Sequence, residues 1–221
     1  MWSPCSDGHR PIEDDLHIGP YPTRRATKTP HAALPYAEVP PFLCALRASD
    51  ASEWVRLGFE LTILCATRTS ETLLTTWNET DLSDPDLGIS SVRMKSGIDH
   101  RIPLAPRCVE ILTRAETLVN GSHYVVPGRS GTKPLSGMAF LMALRRMGRD
   151  DVTTHGFRAS FRGWAAERTN FPRAVCEAAL AHALKNKTEA AYHRTDLFER
   201  RRELMTAWAA FATGTETGGQ P

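Results

Sequence analysis

The chain has 221 residues, 41% hydrophobic and 24% charged, enough to bury one substantial core, so a single domain with short appendages is expected. Its 27 Lys and Arg against 25 Asp and Glu leave a formal net charge of +2, so overall charge announces no nucleic-acid partner and local placement must decide. No run of about 18 apolar residues exists to span a bilayer, Met1–Arg25 lacks the apolar stretch of a signal peptide, and the five cysteines form no C-x-x-C pair; these features point to a cytoplasmic protein with reduced core thiols.

From Met1 to Ala33 the sequence is rich in Pro, Gly, His and charge without apolar period, and reads as a linker or tail. It carries one basic cluster, Arg24, Arg25 and Lys28, open to reading as a DNA contact or as solvated linker. Packing is expected to begin at Leu34. A helix is predicted near Pro41–Ala48, with Pro in its first turn, followed by one over Ser52–Ala66 that places Trp54, Leu57, Leu61 and Leu64 on a core-facing stripe. A short helix over Ser70–Thr76 comes next. Leu87–Met94 and His100–Leu104 then form a predicted hairpin joined by Lys95-Ser-Gly-Ile-Asp.

Helical period returns over Arg107–Val119. Tyr124–Val126 is a candidate further strand, and Ser136 is expected to cap a helix running to Met147. The remainder reads as helices near His155–Arg168, Pro172–Ala181, Lys187–His193 and Phe198–Phe211. The fold class is therefore mainly α with a small antiparallel β-sheet (α+β), with residues 1–33 as linker, 34–212 as the folded domain and 213–221 as a flexible tail. Leu204, Trp208 and Phe211 form one stripe that would pack either on this core or on a neighbouring protomer.

The chemistry-bearing residues are scattered. In Thr154-His155-Gly156-Phe157-Arg158, a cap at Thr154 would place His155 and Arg158 on one face at a helix start, where free N–H groups and the helix dipole favour an anion. A solvated first turn would use the same residues. Arg68 follows a strongly apolar helix, with Glu71 three residues on and able to orient it or simply to pair with it. Lys95 lies in the hairpin turn. His182 and Tyr192 are ten residues apart; one continuous helix would hold them about 15 Å apart along its axis, but the polar Lys185-Asn-Lys stretch breaks it and could fold Tyr192 back. Arg145, Arg146 and Arg149 close one helix, and Arg200–Arg202 occupy successive faces of another; each group suits phosphate contact or a solvated helix face.

Taken as a set, Arg68 in Ala-Thr-Arg-Thr-Ser-Glu, Lys95 in Arg-Met-Lys, the His155-x-x-Arg158 box, His182, and Tyr192 in Ala-Ala-Tyr-His-Arg resemble the phage-integrase family of tyrosine recombinases, particularly its satellite-phage and genomic-island branch. The resemblance runs from about Ala33 to Phe211 and implies the integrase catalytic-domain fold. It further implies site-specific DNA recombination, integration or excision, in which Tyr192 attacks a backbone phosphodiester to give a 3′-phosphotyrosyl enzyme and a free 5′-hydroxyl. Arg68 and Arg158 would hold the non-bridging oxygens, with Glu71 behind Arg68. His155 would take and return the tyrosine proton, Lys95 would protonate the leaving oxygen, and His182 would hydrogen-bond the phosphate. The implied partners are double-stranded DNA attachment sites and three further copies in a synaptic homo-tetramer, with no membrane, cofactor or metal. Gly128-Arg-Ser-Gly-Thr-Lys-Pro likewise does not match an ATPase phosphate loop.

Relatives usually carry an N-terminal core-binding domain, whereas this chain starts in what would be the linker. Its expected status is thus an excerpt, a shortened gene, or a remnant that binds DNA without efficient recombination. A type IB topoisomerase relative is a further alternative, disfavoured by the wording around Tyr192.

Overall fold

A computed structural model describes residues 32–94, 96–119, 121–182 and 197–215. The helices are α1 (Val39–Ala48), α2 (Glu53–Leu64), α3 (Thr69–Leu73), α4 (Pro106–Leu118), α5 (Ala139–Arg146), α6 (Gly156–Arg168), α7 (Arg173–Ala179) and α8 (Phe198–Thr213). Strands β1 (Thr80–Asp81), β2 (Asp86–Ile89) and β3 (His100–Pro103) form one antiparallel sheet in the order β1-β2-β3. The architecture is mainly helical with a small antiparallel sheet, as the periodicities indicate. No helix among the described residues is long and apolar enough to cross a membrane.

Helix α2 is the centre. A single stripe through Trp54 and Leu57 understates it: these two are only partly buried, whereas Gly58 through Leu64 are buried without interruption. The reason is that α1, α3, α4, α5 and α8 all pack against it, and a helix surrounded in this way is apolar on every side. One residue of that run is charged. Glu60 accepts hydrogen bonds from Arg47 of α1 (2.6 and 3.1 Å) and Arg107 of α4 (2.7 and 3.2 Å). Burial alone would raise its pKa, but the two guanidinium groups outweigh this and hold it below the usual carboxylate value, so the carboxylate ties three helices together.

Helix α8 closes the core of its own chain. Leu204 and Trp208 are fully buried, the Trp208 indole N–H donates to the Ile63 carbonyl at 3.0 Å, and the ring lies among Phe161, Trp164 and Phe211. The stripe expected either here or on a neighbour is thereby accounted for within the molecule.

The β region departs from expectation in three ways. The β2–β3 pairing runs from Asp86↔Pro103 to Ile89↔His100, so β2 stops well short of Met94 and Ser91–Arg93 forms a 3-10 turn instead. Strand β1, too short to show an alternating pattern, pairs Thr80 with Leu87. Tyr124–Val126 does not become a strand: Tyr124 makes an isolated bridge with Thr76, and the Val125 N–H donates to the Thr75 carbonyl at 3.0 Å, so the segment fastens the end of α3 and adds nothing to the sheet. At α5, Ser136 precedes the helix in a turn that the hydroxyl closes by accepting from the Met138 N–H at 3.3 Å, and the helix starts two residues later than predicted, with Met138 at the cap position. Cys44 is exposed rather than a core thiol.

The first described residues act as a strap across the start of α6. The Thr153 N–H donates to the Ala32 carbonyl at 3.1 Å, and the Ser160 hydroxyl donates to the Leu34 carbonyl. Gly156 is required by this approach, because a Cβ there would lie 2.3 Å from the Ala32 oxygen. Gly156→Ala is therefore expected to lower stability by roughly 1–3 kcal/mol through overpacking against backbone. Denaturant midpoints of the two proteins measure this; an unchanged midpoint would mean that the strap is not held at this position.

Candidate active site

Arg158 sits at the third position of α6 and is only 6% exposed. Its guanidinium donates to the Ala66 carbonyl through Nη1 and to the Leu180 carbonyl at 2.6 Å through Nη2. Both acceptors lie where a helix ends: Ala66 follows α2 and Leu180 follows α7. Each helix is closed by an alanine in left-handed conformation, Ala66 at φ 49° and Ala181 at φ 49°, a position usually given to Gly. The carbonyls so exposed lie at the negative ends of two helix dipoles, which favours a cation between them. Burial, followed by the charge of nearby Arg68, still lowers the Arg158 pKa to about 10, while Glu71 acts in the opposite direction. The group stays protonated at neutral pH.

Arg68 is the residue at which the chain enters α3 in extended conformation. The Glu71 carboxylate accepts from the Arg68 backbone N–H at 2.8 Å and also pairs with its guanidinium, so one buried acid fixes both the helix start and the arginine. Arg68 and His155 line one cavity of about 560 Å³, together with Thr69, Leu73, Pro134 and Leu135. His155 is exposed and stands at the cap position of α6. The cap differs from the expected one: Thr153, not Thr154, accepts the Gly156 N–H through its hydroxyl at 3.1 Å. The strap at Ala32 holds Thr153 in that place, a long-range contact with no local signal.

His182 completes the cluster. Its Nε2 lies 3.4 Å from Arg158 Nη2 and its Nδ1 lies 2.7 Å from Glu177 Oε2. Arg68, His155, Arg158 and His182 thus gather from three distant stretches of chain: Arg68 and His155 share the cavity, Arg158 lies within electrostatic reach of Arg68, and His182 adjoins Arg158. Lys95 and Tyr192 lie outside the described residues, as do Arg24, Arg25 and Lys28. Arg149 binds Asp151 through two hydrogen bonds of 2.9 Å and reaches Glu38 at 3.3 Å, which occupies the guanidinium with carboxylates. Arg145 and Arg146 are exposed in the last turn of α5, about 12 Å along the helix from the Gly137 end that borders the cavity.

Two residues of this neighbourhood escape a reading of the sequence. Glu177, on a buried face of α7, joins His182 to Arg162 of α6; a carboxylate among apolar neighbours five residues before a histidine is the only hint of it. His100 opens β3 in what reads as an ordinary strand. In the fold it lies within electrostatic reach of Arg201, Glu71 and Arg158 and hydrogen-bonds the Ala179 backbone.

Residues 33–197 match the phage integrase family, a span that contains every one of the six residues singled out above. The chain belongs to that family. It is 32% identical over 183 residues to the prophage integrase IntA of Escherichia coli K12, covering 82% of this chain and 44% of that protein. It is 30% identical over 203 residues to the integrase of Enterobacteria phage P4, covering 84% of this chain and 46% of that protein. The chain therefore spans less than half the length of these integrases. Among solved structures, an integrase from mycobacterium phage Brujita superposes with a TM-score of 0.60 at 18% identity, over 89% of this chain and 63% of that one. A lambda integrase dimer bound to a COC′ core site gives 0.55 at 20% identity, over 74% of this chain and 61% of that one. These likenesses show the integrase catalytic-domain fold.

His100 carries a pH signature of this integrase core. Burial foremost, then the charges of Arg201 and Arg158, push its pKa down to about 4, against the opposing pull of Glu71 and the Ala179 hydrogen bond. The folded protein therefore refuses a proton that the unfolded chain accepts below about pH 6.5. Stability is fully present above that pH and falls as pH drops toward 4, by on the order of 3 kcal/mol from this residue. In His100→Gln the decline across the same window should be markedly shallower in denaturant titrations. Equal slopes in the two proteins would exclude His100 as the source.

Proposed function

We propose that this chain is the catalytic domain, residues 34–212, of a tyrosine-type site-specific recombinase that breaks and rejoins duplex DNA through a 3′-phosphotyrosyl link at Tyr192. The observation that carries this reading is the pairing of Arg158, buried between two helix ends, with Arg68 on the wall of a cavity shared with His155. Two fixed cations and an imidazole suit a phosphodiester whose negative charge grows as a fifth oxygen approaches phosphorus.

In this reaction Arg68 and Arg158 bind the two non-bridging oxygens. His155 accepts the Tyr192 proton as the phenol attacks, and returns it when the step reverses. Lys95 protonates the departing 5′-oxygen, while His182 hydrogen-bonds the phosphate beside Arg158. The P–O bond broken is replaced by the bond to tyrosine, so the free energy of the linkage is conserved and the partner strand's 5′-hydroxyl can reseal it. Arg24, Arg25, Lys28, Arg145 and Arg146 are the basic residues we assign to DNA phosphates outside the site; Arg149, held by Asp151 and Glu38, is the weakest candidate for such a contact. One lambda integrase structure is a tetramer bound to a Holliday junction, and the corresponding assembly here is a homo-tetramer on two attachment sites, acting in the cytoplasm.

The test uses a pool of nicked duplexes of randomised sequence. Cleavage near a nick releases a short strand that diffuses away, so the covalent complex accumulates and survives denaturant. The wild-type chain should form this adduct and Tyr192→Phe should form none. Arg68→Ala should slow its formation roughly a hundredfold, the usual worth of one such charge-stabilising donor. Adduct persisting in Tyr192→Phe would remove the assigned nucleophile.

A further inference from the structure

Arg93 ties the stretch between β2 and β3 to the rest of the fold. Strand pairing ends at Ile89↔His100, and beyond it residues 90–99 are largely exposed, Val92 and Ile98 among them. Two bonds close this tip on itself: the Ser91 N–H donates to Asp99 Oδ1 at 2.6 Å, and the Gly97 N–H donates to the Met94 carbonyl at 3.0 Å. Among the described residues of the stretch, Arg93 alone sends side-chain hydrogen bonds beyond it. Its Nη2 donates to Glu79 Oε1 at 2.5 Å, and its Nη1 reaches the Glu71 carbonyl at 3.4 Å. Glu79 is itself fixed, because its other oxygen accepts from the Thr76 N–H at 2.9 Å and from the Thr76 hydroxyl at 3.2 Å. Met94, the next residue after Arg93, is buried. Lys95 follows it in the sequence.

We infer that Arg93 is a positioning residue for the proton donor Lys95, tethering the chain two residues before it to the helix that Arg68 opens. Glu71 is the shared post. Its carboxylate holds Arg68, and its backbone carbonyl is the one that Arg93 reaches, so the phosphate-binding arginine and the Lys95 stretch are referenced to the same turn of α3. The sheet cannot supply that reference, since its pairing stops before residue 90. A general acid works only within hydrogen-bond reach of the leaving oxygen, and a misplacement of about 1 Å can cost roughly a hundredfold. A guanidinium suits this tether better than an ammonium group, because its planar fork serves two acceptors at once, here a carboxylate and a carbonyl. Arg93 and Glu79 are 22% and 18% exposed, so water and salt screen the pair less than a surface one. The role of Arg93 rests on the recombinase reading for its chemical use, but the tether itself does not.

The discriminating substrate is a nicked-duplex pool in which sulfur replaces the 5′-bridging oxygen at one fixed phosphodiester beside the nick, with randomised flanks. A thiolate is a far better leaving group than an alkoxide and departs without a proton. A defect in proton donation therefore disappears on sulfur, whereas a defect in phosphate binding or in folding persists. With oxygen, adduct formation should fall about a hundredfold or more in Lys95→Ala and roughly tenfold in Arg93→Ala. Arg93→Ala should add nothing in a Lys95→Ala background. With sulfur, both variants should match the wild type within about twofold, while Arg68→Ala stays slow. Glu79→Gln keeps an acceptor for Thr76 and removes only the charge that Arg93 meets, so it should show a smaller deficit with the same rescue. A deficit of Arg93→Ala that persists on sulfur would overturn the inference, as would a rescue that Arg68→Ala shares. Amide exchange in the DNA-free protein reads the tether apart from the chemistry: the Ser91 and Gly97 N–H groups should exchange roughly tenfold faster in Arg93→Ala while those of α2 are unchanged. Equal rates in the two proteins would refute the tether. If the wild-type chain forms no adduct on either pool, the recombinase reading falls while the exchange rates still decide whether Arg93 holds this stretch.

Discussion

The site depends on one buried guanidinium. Removing a cation from water is costly unless acceptors replace the lost hydration, and Arg158 meets that requirement with carbonyls at the ends of two helices, not with a carboxylate. For the carbonyls to face it, α2 and α7 must both stop within reach of the start of α6. Each stops on an alanine in the left-handed region, where a side chain costs about 1 kcal/mol or more that glycine would not. Strain of this kind persists only when the surroundings determine it, and here the surroundings are the central helix, the strap and the α8 aromatic cluster.

That arrangement makes the hollow a junction of helix ends. Arg68 enters α3 just beyond the close of α2, His155 stands at the cap of α6, and His182 follows the close of α7. Helix ends carry the backbone groups that helices leave unsatisfied, so bringing several together creates both positive and negative partial charge in a small volume. Buried side chains then select among them: Glu71 serves the N–H side at Arg68, while Arg158 serves the carbonyl side of α2 and α7. The strap at Ala32–Leu34 extends the same junction to the segment that precedes it, because it sets the Thr153 cap on which His155 stands.

How much of this was legible beforehand follows from which interactions are local. The helices and the β2–β3 pairing announce themselves through period and turn residues, and Glu71 lies one turn from the arginine it holds. The Tyr124–Val126 segment was misread because its apolar residues serve a packing contact with the end of α3, which alternation alone cannot distinguish from a sheet edge. The hydroxyl that meets the start of α6 belongs to Thr153 and not to Thr154, because a contact from far upstream holds Thr153 in place. Glu177 and His100 were missed for a related reason. Their main partners come from distant elements, Arg162 of α6 for Glu177 and Arg201 of α8, Glu71 of α3 and Arg158 of α6 for His100, and local sequence does not distinguish such a buried polar group from a surface one.

The choice of carbonyls to hold Arg158 bears on function as well as on folding. A carboxylate would hold the guanidinium as firmly, but it would also cancel most of its field and force an incoming anion to compete with an internal one. Carbonyl oxygens fix the geometry while leaving a full unit of charge, at the expense of a pKa drawn down to about 10. Arg68 represents the other solution, since Glu71 orients it and neutralises part of it. A site with both kinds has one cation oriented by a partner charge and one whose charge is held back for the ligand. Such an asymmetric pair suits a reaction whose negative charge is greatest at an intermediate geometry, because the uncancelled field of Arg158 is already aligned before that charge appears.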